Sequence, residues 1–113
     1  MITVQFTKDM TSGNFTEFEI CGHSGRGNAG EDIVCAAVSS AASLTVNGIV
    51  EILKVRAKVT VCEEIPTVAL CLDQTVNTDV LSKCQLLLQA LYMQLEAIAQ
   101  EYPVHISLET VLI

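Results

Sequence analysis

His23 and Cys35 are the two residues of this 113-residue chain whose types and setting suit covalent chemistry. Between them runs Gly22-His23-Ser24-Gly25-Arg26-Gly27-Asn28-Ala29-Gly30, which holds four of the chain's six glycines and leads straight into Asp32-Ile33-Val34-Cys35. This order predicts a histidine at the end of a strand and a cysteine in the first turn of a helix, joined by a loop. A thiol in a helix's first turn feels the partial positive charge of the exposed N–H groups, which favours thiolate. An imidazole within reach takes the thiol proton, so the pair reads as a cysteine nucleophile with a histidine base. Asp32 is placed as the helix N-cap, accepting from the N–H of Val34 or Cys35 and fixing the turn that presents the thiol. Backbone N–H groups of the loop and first turn would hold an acyl oxyanion. Gly22, Gly25, Gly27 and Gly30 admit conformations closed to other residues, so the loop can fold back and bring His23 onto Cys35.

The same residues carry other readings. A cysteine in an alanine-rich helix is commonly a small space-filling side chain, and Cys35 would then only pack. Gly25-Arg26-Gly27-Asn28-Ala29-Gly30 matches the G-x-G-x-x-G pattern of dinucleotide sites. The strand before it alternates polar and apolar residues, however, and Glu31 and Asp32 put two negative charges where a pyrophosphate would sit. Cys21, His23 and Cys35 could ligate zinc, but no convincing fourth ligand accompanies them, and Cys21 is expected to flank the site or pack beside it. No metal or cofactor is assigned. His105 is expected on the outer face of the last strand, in contact with solvent.

The elements that must hold this pair follow from hydrophobic period. Ile2, Val4 and Phe6 alternate with polar residues, as do Phe18 and Ile20 with Glu17 and Glu19, giving two half-buried strands joined by a turn at 8–14. A very apolar helix follows from Asp32 to about Leu53. Ala57, Val59 and Val61 mark a third strand and Val68, Leu70 and Leu72 a fourth, with Glu63-Glu64-Ile65-Pro66 turning between them. Asn77 or Thr78 caps a second helix running to about Glu101, with Leu81, Cys84, Leu88, Leu91, Leu95 and Ile98 on one stripe. Pro103 stops it, and Val104, Ile106 and Leu108 form a closing strand. The order ββαββαβ predicts one α+β domain over residues 1–113: a mixed five-stranded sheet with two helices packed on one face. Two such apolar helices exceed what one small sheet face can cover, and a homodimer, with the second helix as the first candidate seam, would bury the surplus.

Composition narrows the function classes. Half the residues are apolar but aromatics are only 4%, so the interior is expected to be Val, Ile, Leu and Ala. The apolar runs are broken by Asn, Gln, Glu or Ser, so no membrane span is expected. Five cysteines without a Cys-x-x-Cys pair, and an N-terminus unlike a signal peptide, point to free thiols in the cytoplasm. A formal net charge of −7 argues against direct nucleic-acid binding and suits a basic partner.

Gly22-His23-Ser24 together with Gly30-Glu31-Asp32-Ile33-Val34-Cys35-Ala36-Ala37-Val38-Ser39 resembles the signature of the ribosomal-processing cysteine proteases of Firmicutes and related bacteria, and the likeness extends over the whole chain. The resemblance implies a homodimeric α/β protease, unrelated in fold to papain. Such an enzyme removes a short N-terminal extension from large-subunit ribosomal protein twenty-seven, cutting after aromatic residues. It implies Cys35 as nucleophile and His23 as base. Asp32 and Ser39 match positions that support them, and the glycine loop contacts substrate. The loop departs from the family in Ser24, where Ala is frequent, and in Gly25-Arg26-Gly27-Asn28, where an aromatic is frequent. Arg26, the loop's only cation, is a candidate for substrate carbonyls. The alternative from a different class is a non-catalytic ribosome-associated binding module in which Cys35 only packs.

Overall fold

The computed structural model describes residues 1–22, 29–73 and 75–113, with backbone alone over 29–32. Strands β1 (Ile2–Lys8) and β2 (Phe15–Cys21) are followed by helix α1 (Ala29–Asn47). Its axis continues through a π-helical turn, Gly48–Ile52. Strands β3 (Ala57–Cys62) and β4 (Thr67–Leu72), helix α2 (Thr78–Glu101) and strand β5 (Ile106–Leu112) complete the chain. The ββαββαβ order is the expected one. The sheet order is β3-β4-β2-β1-β5. It is mixed because β5 runs parallel to β1 while every other pair is antiparallel.

Both helices lie on one face, and the strand alternation decides which residues meet them. Ile2, Val4 and Phe6 of β1, Phe18 and Ile20 of β2, and Leu70 and Leu72 of β4 are buried against Val34, Val38 and Ala42 of α1 and Cys84, Leu88, Leu91, Leu95 and Ile98 of α2. The intervening residues, among them Thr3, Gln5, Glu19 and Cys21, line the open face. The aromatics do more than their number suggested. Phe6 sits at the centre of a cluster, with ring centroids 5.1 Å from Phe15, 5.8 Å from Phe18 and 5.2 Å from Tyr92. Few aromatics therefore does not mean an aliphatic interior, because all three phenylalanines converge.

Helix α2 begins where expected. The Asn77 side chain accepts from the Asp79 N–H at 2.8 Å, leaving the first turn capped. One buried polar side chain ties this helix to the sheet: the Gln85 amide accepts from the Phe15 N–H and donates to the Phe15 carbonyl, both at 2.7 Å. Phe15 stands where the β1–β2 register shifts, so Gln85 completes hydrogen bonds at an irregular point of the ladder.

Four expectations change. Helix α1 starts at Ala29, three residues before Asp32. Ala29 favours helix and the acidic Glu31 and Asp32 suit the positive end of the dipole, so the first turn forms from residues assigned to the loop. The closing strand begins at Ile106; Val104 is exposed and His105 is half-buried beside Tyr102, ring centroids 6.4 Å apart. The apolar side of β3 is not covered, and Val61 is largely exposed. Finally, Ile33–Ile52 is long and apolar enough to cross a membrane by length and composition, contrary to the reading of its polar interruptions. Ser39, Ser40, Ser43 and Thr45 are short enough to bond the helix's own backbone, as the Thr45 hydroxyl does to the Ala41 carbonyl at 2.9 Å, and no charge intervenes before Glu51. One such helix is weak ground for a membrane, since the core helix of a water-soluble domain meets the same criteria.

Candidate active site

Cys35 is the seventh residue of α1, in its second turn rather than its first. The free N–H groups belong to the first four helical residues, 29–32, one turn before the thiol. Asp32 therefore lies inside the helix and is not its N-cap. Oxyanion donors must come from the helix start or the loop, since the Cys35 N–H lies beyond the unpaired four.

The Cys35 side chain is half-buried, packed against the core on one side and opening on a cleft of about 270 Å³ on the other. Ser39, one turn further along α1, lines the same cleft. The floor is apolar, from Ile2, Ile20, Val38 and Val68. The far wall is the end of β3 and its turn: Val61, Cys62, Glu63 and Pro66. Glu63 is the one charged side chain among the described residues lining it. A thiol beside an apolar recess with a carboxylate among its lining residues suits attack on an amide whose neighbouring side chain is apolar.

Gly22 also lines this cleft and is held there by geometry only glycine satisfies. Its φ is +96°, and a Cβ would run into the Met1 carbonyl oxygen. Its N–H donates to the Pro66 carbonyl at 2.9 Å, joining the end of β2 to the β3–β4 turn. The strand thus delivers the chain to position 23 from a fixed point. His23, Ser24, Gly25, Arg26 and Gly27 lie outside the described residues, as does the side chain of Asp32, while Gly30 is helical in its backbone.

Cys21 does not flank the site. It follows buried Ile20 on β2 and so points to the open face, where its thiol donates to the Glu19 carboxylate at 3.1 Å. That hydrogen bond, with burial, pushes the Cys21 thiol above its ordinary pKa. Because Cys21 and Cys35 face opposite sides of the sheet, they cannot share a metal ion. Among the described residues no group of three metal-ligating side chains converges. Burial likewise pushes up the Cys71 and Cys84 thiols, which suits packing roles. The cleft walls from β3 and its turn were missed by sequence reading. Glu63–Pro66 reads as a turn and Val61 as core, and only the register Val61↔Val68 sets them across from α1.

The architecture has solved counterparts, among them a processing protease. An essential ribosomal processing protease, Prp, from S. aureus in complex with a substrate peptide matches with a TM-score of 0.84 at 29% identity, over 98% of this chain and 100% of that one. The same S. aureus protease with a covalently linked product peptide matches with a TM-score of 0.82 at 30% identity, over the same shares. A Streptococcus mutans protein matches with a TM-score of 0.87 at 25% identity, over 100% of this chain and 96% of that one. The sequence profile of the family described as cysteine protease Prp matches residues 1–107, and the chain belongs to that family. No curated protein matches it in sequence.

Proposed function

We propose that this cysteine peptidase removes a short N-terminal extension from large-subunit ribosomal protein twenty-seven, with Cys35 as nucleophile and His23 as base. One observation carries the reading: Cys35 opens on an apolar cleft of about 270 Å³ in a fold shared with a ribosomal processing protease holding its substrate peptide. His23 takes the Sγ proton as the sulfur bonds to the scissile carbonyl carbon. N–H groups at the start of α1 or in the glycine loop hold the oxyanion. Collapse breaks the C–N bond, and the protonated histidine gives its proton to the leaving amine. Water, deprotonated by the same imidazole, then hydrolyses the thioester and restores the thiol. With Cys35 past the first turn, where the helix dipole falls off, activation rests mainly on His23. Ser39 lines the recess beside the thiol, and Asp32 supports the helix start by its charge.

The enzyme is further proposed to work in the cytoplasm as a homodimer without contacting nucleic acid. Five free thiols suit a reducing compartment. The net charge of −7 suits a basic ribosomal protein and opposes RNA. The outward face of α1, with Ile33, Ala36, Ala37, Ser40 and Leu44 exposed and no charge between Asp32 and Glu51, suits a second copy better than α2. On α2, exposed Leu86 and Met93 are interspersed with Lys83, Gln89 and Glu96.

Intact mass of full-length ribosomal protein twenty-seven after incubation tests the activity, with wild type and Cys35→Ala side by side. Loss of the extension with wild type alone is expected, Cys35→Ala retaining its fold by circular dichroism. An unchanged mass in both, with Cys35 alkylating no faster than Cys62, would instead identify a binding module.

A further inference from the structure

The cleft is one end of a longer feature. Strand β3 is an outer strand of the sheet, so every second residue turns its N–H and C=O toward no partner strand. Its register, Val59↔Leu70 and Val61↔Val68, puts Val59 and Val61 on the helix-covered side. Leu70 is fully buried there, yet Val59 is 38% and Val61 69% exposed, because neither helix reaches the edge. The C-terminal end of β3 then lines the cleft onto which Cys35 opens.

Edges in natural sheets are blunted by proline, bulges or charge, since they invite pairing. Between Ala57 and Cys62 the only charge is Lys58, no proline occurs, and the pairing with β4 is regular throughout. The other edge, β5, lies four strands away, roughly 19 Å at ordinary strand spacing. Among the described residues the site therefore has one unpaired backbone beside it, and that backbone has apolar side chains on the site's own face.

We propose that the free edge of β3 receives the substrate as an added strand, with the apolar side chain beside the scissile bond lying over Val61 toward Val68 at the mouth of the recess. This rests on the protease reading above. An extended peptide backbone is the chemistry an open edge recognises, and pockets for alternate side chains supply selectivity. Glu63 and Glu64 in the turn beyond β3 suit a basic ribosomal protein as substrate. A second copy paired edge to edge is the competing occupant. Two copies would pair antiparallel and leave the cleft at the end of the strand unfilled, whereas a peptide on this edge runs to the cleft onto which Cys35 opens, so the peptide is favoured.

The test is a synthetic peptide spanning the cleavage junction of ribosomal protein twenty-seven, N-methylated at one backbone amide at a time. An added strand donates from every second residue, so kcat/KM should fall about tenfold at alternate positions on one side of the scissile bond and little between them. Anisotropy binding of the same series to Cys35→Ala reads the alternation without turnover, so failed cleavage of the parent peptide counts against the protease reading alone. Val61→Lys, a substitution at an exposed site, should raise KM about tenfold with the fold unchanged by circular dichroism. Equal losses at consecutive residues, no binding of the parent peptide, or Val61→Lys splitting a dimer while KM holds would each overturn the proposal.

Discussion

At the scale of single residues, the site depends on glycine geometry as much as on its thiol. Gly22 combines a φ of +96° with a Met1 carbonyl oxygen where a Cβ would stand. Gly22→Ala must either change φ, breaking the hydrogen bond to Pro66, or displace the start of β1. Backbone strain of this kind costs 1–3 kcal/mol before any clash, so a loss of roughly 2 kcal/mol or more is expected in urea unfolding, with activity lost in parallel. Gly13, at φ +75° with open space around it, should accept alanine at the smaller cost of strain alone. The thiols away from the site make a pH prediction. Cys84 is buried among α2's core residues and its folded-state pKa lies above the ordinary 9.0. A group raised in the folded state contributes stability that is full below its unfolded value and lost as pH rises through the folded one. Stability should therefore decline above about pH 9, and Cys84→Val should flatten that alkaline limb in denaturant titrations.

At the scale of elements, Gln85 shows how one side chain sets the docking of a helix on a sheet. Both groups of its amide are committed to Phe15, which itself stacks against Tyr92 of α2 with centroids 5.4 Å apart. Gln85→Leu keeps volume but leaves a buried N–H and C=O unpaired, for a loss of roughly 3 kcal/mol in denaturant unfolding. Gln85→Glu as a carboxylate keeps the acceptor for the Phe15 N–H and loses the donor to the Phe15 carbonyl, whereas protonation restores an O–H donor, so its stability loss should shrink as pH falls and the carboxyl takes up a proton. Helix α1 is positioned differently, by small residues and by glycine. Gly48 sits under Leu87 of α2, with space for no side chain unless Leu87 shifts, and the chain there loosens into a π-helical turn before Lys54 takes a left-handed φ of 56°. These features end the helix and return the chain to β3, which is how the edge strand comes to stand opposite Cys35.

At the scale of the molecule, one face of the sheet is covered, the other is polar, and the uncharged outer face of α1 remains exposed. A contact built on that face would be isologous, each α1 lying against its copy, with alanine and serine allowing close approach. Leu44→Glu, far along α1 from Cys35, should convert a dimer to monomer in sedimentation velocity. If the partner also supports the site, kcat should fall with it; if not, only the oligomeric state changes. Salt offers a separate reading of the acidic surface, since steering of a basic substrate weakens as the Debye length shortens.

The order of elements, the inward residues of β1, β2 and β4, the Asn77 cap and the stripe of α2 were all legible in the chain. Each rests on a local period or on a side chain bonding its own turn. The pairing of Cys35 with Ser39 is likewise local, a matter of one helical turn. What the chain alone did not determine depends on residues far apart in sequence. Helix α1 starts three residues before the expected Asp32 because the glycine run masks the helix-forming Ala29 and the acidic first turn. Cys21 is expected beside the site because it is two residues from His23 in sequence, whereas the alternation that buries Ile20 turns it to the open face. The exposure of Val59 and Val61 depends on the order of the strands. Alternation marks an apolar side of β3, but only the sheet order makes β3 the edge, beyond the reach of both helices, with its free backbone beside the thiol.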